Sequence, residues 1–272
     1  MALGELLIGQ PATTSMKRVC VVQARMGSTR LPGKVLRDLA GQPMLTQMLR
    51  RLRTCVSIDE IVVATSIATS DDPIAELGVK EGMRVCRGSE ADVLGRIVEA
   101  AHAAQADVVV RVTADCPLID PWVTDRVIDE LTTNGSAADY ASNVLRRTFP
   151  RGLDVEAMFL DTLLRVDRLG RSKAEREHVT ITIRSEHPNL FLSRSVESGH
   201  DDSDLRWTVD EERDFQLVAR LYHVFGLDEH ILPYEVVVNH VRQNPELTSF
   251  NADIATWTPL SDKPGPMQGS QE

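Results

Sequence analysis

Residues 23 to 34 read Gln-Ala-Arg-Met-Gly-Ser-Thr-Arg-Leu-Pro-Gly-Lys, and no other stretch of the 272-residue chain gathers so many groups suited to one task. Gly27 and Gly33 let a backbone approach a ligand closely, and exposed N–H groups in such a loop, around Ser28 and Thr29, form an anion-binding concavity. Arg25, Arg30 and Lys34 supply the countercharge that a polyphosphate requires. Gln23 and Ala24 enter the loop from Arg18-Val19-Cys20-Val21-Val22, an apolar run of buried-strand length. A solvated basic turn accounts for most short Arg/Gly loops; the density of cations and glycines behind a strand favours phosphate binding here. The loop is neither of the two common nucleotide motifs. A P-loop has four residues between its first glycine and Gly-Lys, then Ser or Thr, whereas five separate Gly27 from Gly33 and Val35 follows Lys34. The three-glycine dinucleotide fingerprint is absent, and Pro32 disfavours a helix beginning inside the loop. Side chains and irregular backbone, rather than a helix N-terminus, must therefore hold the phosphates.

Asp115 is the second group with chemistry in reach. It follows the apolar run Val108-Val109-Val110-Arg111-Val112, and Pro117 ends the segment. A carboxylate where a buried parallel strand emerges sits at the rim where α/β proteins bind ligands. A hard cation such as Mg²⁺ wants a carboxylate together with phosphate oxygens, which Asp115 can join. An Asx-turn cap at a strand end is the other account of the same residue. Asp210 also follows a short alternating stretch, and equally fits the N-cap of a helix starting near Glu211. Asp202-Ser203-Asp204 matches the Asp-x-Asp metal pattern of glycosyltransferases, or else a solvated acidic loop.

The loop resembles the N-terminal signature of the sugar nucleotidyltransferases. More narrowly it is similar to the cytidylyltransferases of the spore coat polysaccharide type, relatives of the enzymes that activate sialic acid and 3-deoxy-manno-octulosonate. The resemblance runs from residue 17 to about 250, and its specific part is the loop together with Thr113-Ala-Asp-Cys-Pro-Leu-Ile119. It implies a Mg²⁺-dependent transfer of CMP from CTP to a sugar or sugar acid, with pyrophosphate release, for surface glycan synthesis. Cytosine rests on the resemblance alone. The family's Asp-x-x-x-Asp site maps to Asp210 and Asp214, with Asp210 joining Asp115 on the metal. Arg87-Gly88-Ser89-x-x-Asp92 resembles the segment that holds ribose or base; it also reads as a cap, with Ser89 at the N-cap and Asp92 at the third helical position. Asp154 and Glu156 fall in what looks like the substrate-side strand. Glu177 and His178 lie in a charged helix facing either the acceptor sugar or a second copy of the chain in a homodimer. A glycosyltransferase using Asp202 and Asp204, and a non-catalytic nucleotide-binding subunit, are the rival readings.

The elements that must position these groups alternate between short apolar strands and amphipathic helices. Ile61–Thr65, Val85-Cys86 and Val108–Val112 read as strands after the first, without in/out alternation, as in a parallel sheet covered on both faces. Helical spacing appears in Met44–Leu52, after Asp72-Pro73 as cap and first turn, and in Val93–Ala101. The expectation is a doubly wound α/β fold, mostly parallel, and the resemblance implies that it is of the nucleotide-diphospho-sugar transferase type. Later, Val155–Phe159 and Leu190–Leu192 read as strands, and Arg171–Arg184, Asp214–Phe225 and Tyr234–Val241 as helices. No linker interrupts the chain, which predicts one domain over 17–255 between flexible tails 1–16 and 256–272.

Composition narrows the class. A net charge of −10 and 4% aromatic residues argue against a nucleic-acid footprint. The first residues lack a basic stretch and carry only Leu6-Leu7-Ile8, so neither a signal peptide nor a membrane span is expected. Cys20, Cys55, Cys86 and Cys116 never form a Cys-x-x-Cys pair, consistent with reduced thiols in a cytoplasmic protein.

Overall fold

The computed structural model describes residues 16–133 and 137–254. The tails expected at 1–16 and 256–272 lie outside the described residues apart from Met16. The N-terminal half alternates strand and helix: β1 (Arg18–Gln23), a minimal hairpin β2 (Asp38–Leu39) and β3 (Gln42–Pro43), α1 (Met44–Leu52), β4 (Glu60–Ser66), α2 (Asp72–Lys80), β5 (Arg84–Gly88), α3 (Val93–Ala103), β6 (Val108–Thr113) and α4 (Pro121–Thr132). The second half adds β7 (Tyr140–Ser142), β8 (Glu156–Phe159), α5 (Leu160–Leu169), α6 (Lys173–His178), β9 (Ser193–Ser195), α7 (Glu212–Phe225), α8 (Tyr234–Gln243) and α9 (Pro245–Thr248).

Seven strands form one sheet in the order β5-β4-β1-β6-β8-β7-β9. Neighbours β5, β4, β1 and β6 are parallel, β8 runs antiparallel to both β6 and β7, and β9 is parallel to β7. β8 is thus the single reversed strand of a mostly parallel sheet. The uninterrupted apolar runs follow from coverage of both faces. Along β1, Cys20 and Val22 pack with α1, α4 and α7, while Val19 and Val21 pack with α3 and α5. Among the described residues no helix is long and apolar enough to cross a membrane. Cys20, Cys55 and Cys116 are buried free thiols and Cys86 is half-buried; burial pushes the Cys55 thiol up to about 12.

Several local expectations shift. The Arg171–Arg184 helix stops at His178, because Val179 adopts a left-handed φ of 58°. The β-branched run that follows, Thr180-Ile-Thr-Ile, is a poor α-helix former and continues as a short π-helical turn, Thr182–Glu186. Leu190–Leu192 is not a strand. Pro188 begins a 3₁₀ turn, Leu190 and Leu192 are exposed, and pairing with β7 starts at Ser193. Asp72 is the first residue of α2 rather than its cap; Asp71 occupies the cap position. In the 87–96 segment Asp92, not Ser89, is the N-cap, accepting from Gly95 N–H, while Ser89 Oγ accepts from Asp92 N–H. α7 is capped by Glu211 in a reciprocal pair with Asp214, which leaves the Asp210 carboxylate out of the cap.

Candidate active site

β1 and β6 are adjacent and parallel, so the loops at their carboxyl ends open onto the same rim. A crevice of about 220 Å³ lies there, lined by Gln23, Arg25, Gly27, Ser28, Thr29, Arg30, Lys34, Thr113, Ala114, Asp115 and Asp210. The loop folds back on itself at Met26, whose carbonyl accepts from Ser28 and Gly33 N–H at 2.8 and 3.1 Å. Gly33 takes a φ of 70°, the left-handed geometry that turns the chain into the 3₁₀ turn Lys34–Leu36.

That turn aims Lys34 across the crevice. Its side chain is only 9% exposed, and Nζ donates to Asp115 Oδ2 at 3.1 Å, Asp210 Oδ1 at 2.9 Å and Val209 O at 2.6 Å. Burial acts to lower the pKa of this ammonium, but Asp115 and Asp210 outweigh it and hold the pKa above the ordinary lysine value. Asp115 shows the converse: burial opposes its charge, yet Lys34 and the Thr113 hydroxyl (2.6 Å) keep its pKa below the usual aspartate value. Arg30 lies 3.0 Å from the other Asp210 oxygen and 3.4 Å from Glu211. Arg25 is 3.8 Å from Glu177, linking the loop to α6.

The placement of Asp210 is built from behind. Residues 205–209 run between two other segments: Arg151 O accepts from Trp207 and Thr208 N–H, and Asp115 O accepts from Val209 N–H at 2.8 Å. Asp214 is fully buried, and its Oδ2 accepts from both Asp210 and Glu211 N–H at 3.0 Å. Arg206 joins the two aspartates, donating to Asp214 at 2.9 and 3.1 Å and to Asp210 Oδ2 at 2.9 Å.

The remaining expected residues surround the crevice or support it. Ala24 is buried and continues the β1 ladder through a bond to Ala64 O. Gln23 Oε1 accepts from Arg111 Nη2 at 2.9 Å. Ser89 and Asp92 are outside the lining. Asp92 is gripped by Arg176 at 2.6 and 2.7 Å, although Glu90 of the same turn comes close to Gly27. Asp154 and Glu156 line a second cavity of about 100 Å³, with Arg111, Thr113 and Arg184, that shares Thr113 with the crevice. Asp154 is held by Arg147 at 2.6 and 2.8 Å. Glu156 is 5% exposed, and its oxygens are committed to Arg111, Tyr140 and Thr180. His178 is half-buried; burial lowers its pKa, Glu177 opposes, and Arg111, Arg184 and Arg25 add to the lowering. Asp202 and Asp204 are both clamped by Arg242 and line no part of the crevice.

Sequence reasoning did not single out Thr113, Arg111, Arg206 or Asp71. Arg111 carried a signal, as the one charge inside the apolar run of β6. Among the described residues no group of three or more His, Cys, Asp or Glu is arranged to hold a metal. What the crevice offers is two carboxylates converging on one cationic position. That donor set fits Mg²⁺, which takes one or two protein carboxylates and completes its shell with phosphate oxygens and water.

Comparison with known proteins places these features in context. A family model described as Cytidylyltransferase matches residues 19–226. The spore coat polysaccharide biosynthesis protein SpsF of Bacillus subtilis is 33% identical over 240 residues, covering 86% of this chain and 98% of that protein. The 3-deoxy-manno-octulosonate cytidylyltransferase of Geobacter sulfurreducens is 37% identical over 121 residues, 44% of this chain and 47% of the other. A solved cytidylyltransferase from Leptospira borgpetersenii superposes with a TM-score of 0.81 at 31% identity, over 90% of this chain and all of that one (100%).

Proposed function

This chain belongs to the cytidylyltransferase family, and on that premise we propose that it transfers CMP from CTP to a sugar or sugar-acid acceptor, releasing pyrophosphate. The observation that carries this reading is the convergence of Arg25, Arg30 and Lys34 with Asp115 and Asp210 on one crevice at the ends of β1 and β6. Transfer at an α-phosphate depends on positioning and charge neutralisation more than on covalent help from the protein. The acceptor oxygen attacks the α-phosphorus in line, the bond to the bridging oxygen breaks, and pyrophosphate departs. Arg25, Arg30 and Lys34 face the β- and γ-phosphates and stabilise the charge that grows there. Gly27, Ser28 and Thr29 let the backbone approach the phosphates closely. Asp115 and Asp210 would hold Mg²⁺, which when bound neutralises phosphate charge and lowers the pKa of the attacking hydroxyl.

Asp154 and Glu156, in the cavity that shares Thr113, and Glu177 with His178 on α6, border the acceptor side. His178 is kept neutral near pH 7, so it would meet the acceptor as a hydrogen-bonding group rather than as a cation. The 17–255 region acts as one catalytic domain in this reading. The glycosyltransferase alternative is disfavoured by Arg242, which occupies both Asp202 and Asp204. Pyrophosphate release, measured with each NTP, Mg²⁺ and a panel of sugars and sugar acids, tests the proposal. Release confined to CTP plus one acceptor class supports it; consumption of a nucleotide sugar without pyrophosphate, or nucleotide binding without any turnover, rejects it.

A further inference from the structure

Asp71 occupies the cap position of α2, where an aspartate ordinarily accepts from the first helical amides, yet its side chain caps nothing. The residue is 2% exposed. Oδ1 accepts from Met26 N–H at 2.7 Å, while Oδ2 accepts from Ser66 Oγ at 2.5 Å and from Ser66 N–H at 3.2 Å. Ser66 ends β4, the strand paired with β1, and Met26 lies just past β1 in the phosphate-facing loop. One buried carboxylate therefore ties the loop to the neighbouring strand. On the other side of the same residue, the Met26 carbonyl collects the N–H groups of Ser28 and Gly33. Met26 is the point where the loop is both anchored to the sheet and closed upon itself.

A charge lies behind this anchor. Arg96 of α3 is 1% exposed, and burial lowers its pKa, with Asp71 the foremost charge working against that lowering. Arg96 Nη1 donates to Ser89 O at 2.7 Å, and both Asp71 oxygens stay with Met26 and Ser66.

We infer that Asp71 is a positioning residue for the transfer reaction: it touches no substrate, and by fixing the Met26 amide it presets Arg25, Gly27, Arg30 and Lys34 for the triphosphate. The inference rests on the nucleotidyl-transfer reading above. A residue that merely stabilises the fold would lower the melting temperature without discriminating among nucleotides.

The test compares the wild type with Asp71→Ala, Asp71→Asn and Ser66→Ala. It measures CTP and CMP affinity by calorimetry, KM for CTP and for acceptor, and amide exchange over residues 24–33 and at Ser66 without nucleotide. Asn keeps an acceptor oxygen toward Met26, and Ser66→Ala leaves the Asp71–Met26 bond in place. Asp71→Ala is expected to weaken CTP about tenfold and CMP less than about twofold, the loss of one charge-assisted contact falling on the triphosphate side. It should also raise KM for CTP but not for acceptor, and speed exchange at Met26, Ser28 and Gly33. Asp71→Asn and Ser66→Ala should stay within about threefold of wild type for CTP. Equal losses for CTP and CMP, an Asn variant as weak as Ala, or unchanged exchange at Met26 would overturn the assignment. If Asp71→Ala does not fold, Asp71→Asn decides: retained Met26 protection with faster Ser66 exchange supports the anchor, and lost Met26 protection overturns it. A wild type that binds no nucleoside triphosphate rejects the transfer reading, and Met26 exchange in Asp71→Ala then decides the anchor by itself.

Discussion

An ammonium held between two carboxylates is a self-compensated site, and Lys34 between Asp115 and Asp210 has that form. In the proposed reaction a triphosphate arriving in the crevice would compete for Lys34 and Arg30, and by drawing them off would leave two aspartates free to share a cation. Lys34→Ala should therefore have opposite effects on two ligands. Affinity for CTP is expected to fall by about 1.5–3 kcal/mol, the usual range for a charge-assisted contact, with CMP little affected. Affinity for Mn²⁺ in the absence of nucleotide is expected to rise, because two facing carboxylates lose their resident countercharge. Calorimetry with CTP and CMP reads the first effect and the electron paramagnetic resonance of Mn²⁺ the second; equal losses for both nucleotides, or Mn²⁺ bound as weakly as in wild type, would contradict the role. Asp115→Asn keeps the shape and a hydrogen-bond acceptor but removes charge. Pyrophosphate release should drop beyond the roughly 10–100-fold typical of outer-shell changes at metal sites, with the circular dichroism unchanged. Adding Asp210→Asn should then cost little more, since members of one catalytic unit fail together. A double variant whose losses multiply would return Asp210 to a purely electrostatic role in the loop.

At the scale of elements, the site depends on segments that carry no periodicity. Residues 205–210 bring Asp210 to Asp115 only because they run against both the Asp115 carbonyl and the backbone at Arg151. Gly152 makes the second approach feasible: its φ is 107°, and a Cβ there would meet Thr208 N at 2.5 Å and Trp207 C at 2.6 Å. Gly152→Ala should thus destabilise the fold by more than about 2 kcal/mol, combining backbone strain with a clash that no rotamer relieves. Urea unfolding measures it, and a loss within experimental error would mean that the two segments separate easily. Asp214 belongs to the same construction, which explains why the family's Asp-x-x-x-Asp spacing can be read in the chain without both aspartates facing the crevice. The spacing was legible, and the resemblance assigns Asp210 rather than Asp214 to the metal; the way Asp214 is held was not legible, because it depends on Arg206 eight residues before it and on Asn251 from beyond α9. Likewise the Arg171–Arg184 helix looked continuous from charge and composition. Its break at Val179 is set by tertiary packing, with Thr180 Oγ1 turned inward to Glu156 at 2.5 Å.

Across the whole molecule, the features visible in the sequence were those with a local cause. The parallel strands announced themselves as apolar runs, and the loop and Asp115 were identified because each directly follows such a run. The contacts that assemble the site were hidden, since Lys34 meets Asp115 and Asp210 at separations of 81 and 176 residues. β7 and β9 were hidden for a different reason: three-residue strands at the sheet margin show too little alternation to register. The reversal at β8 joins the two halves of the chain, and Glu156 is its charged fastening. From β8 it meets Arg111 on β6, Tyr140 on β7 and Thr180 beyond α6. Burial opposes the Glu156 charge, but Arg111, Arg184 and the two hydroxyls prevail and hold its pKa below the ordinary glutamate value of 4.5. A carboxyl with a depressed pKa in the folded state contributes stability that is present above the unfolded value and lost as pH falls through the folded one. Stability should accordingly decline as pH drops below 4.5, and Glu156→Gln should flatten that decline while lowering stability near neutrality. Because Glu156 spans β6, β7 and β8, the two halves should unfold in one cooperative transition in the wild type. Urea unfolding from pH 7 to 3, followed by far-ultraviolet circular dichroism and by fluorescence of the buried Trp207, tests both points. Two resolved transitions would break the single-domain reading, and parallel pH curves for wild type and Glu156→Gln would remove Glu156 as the fastening between the halves.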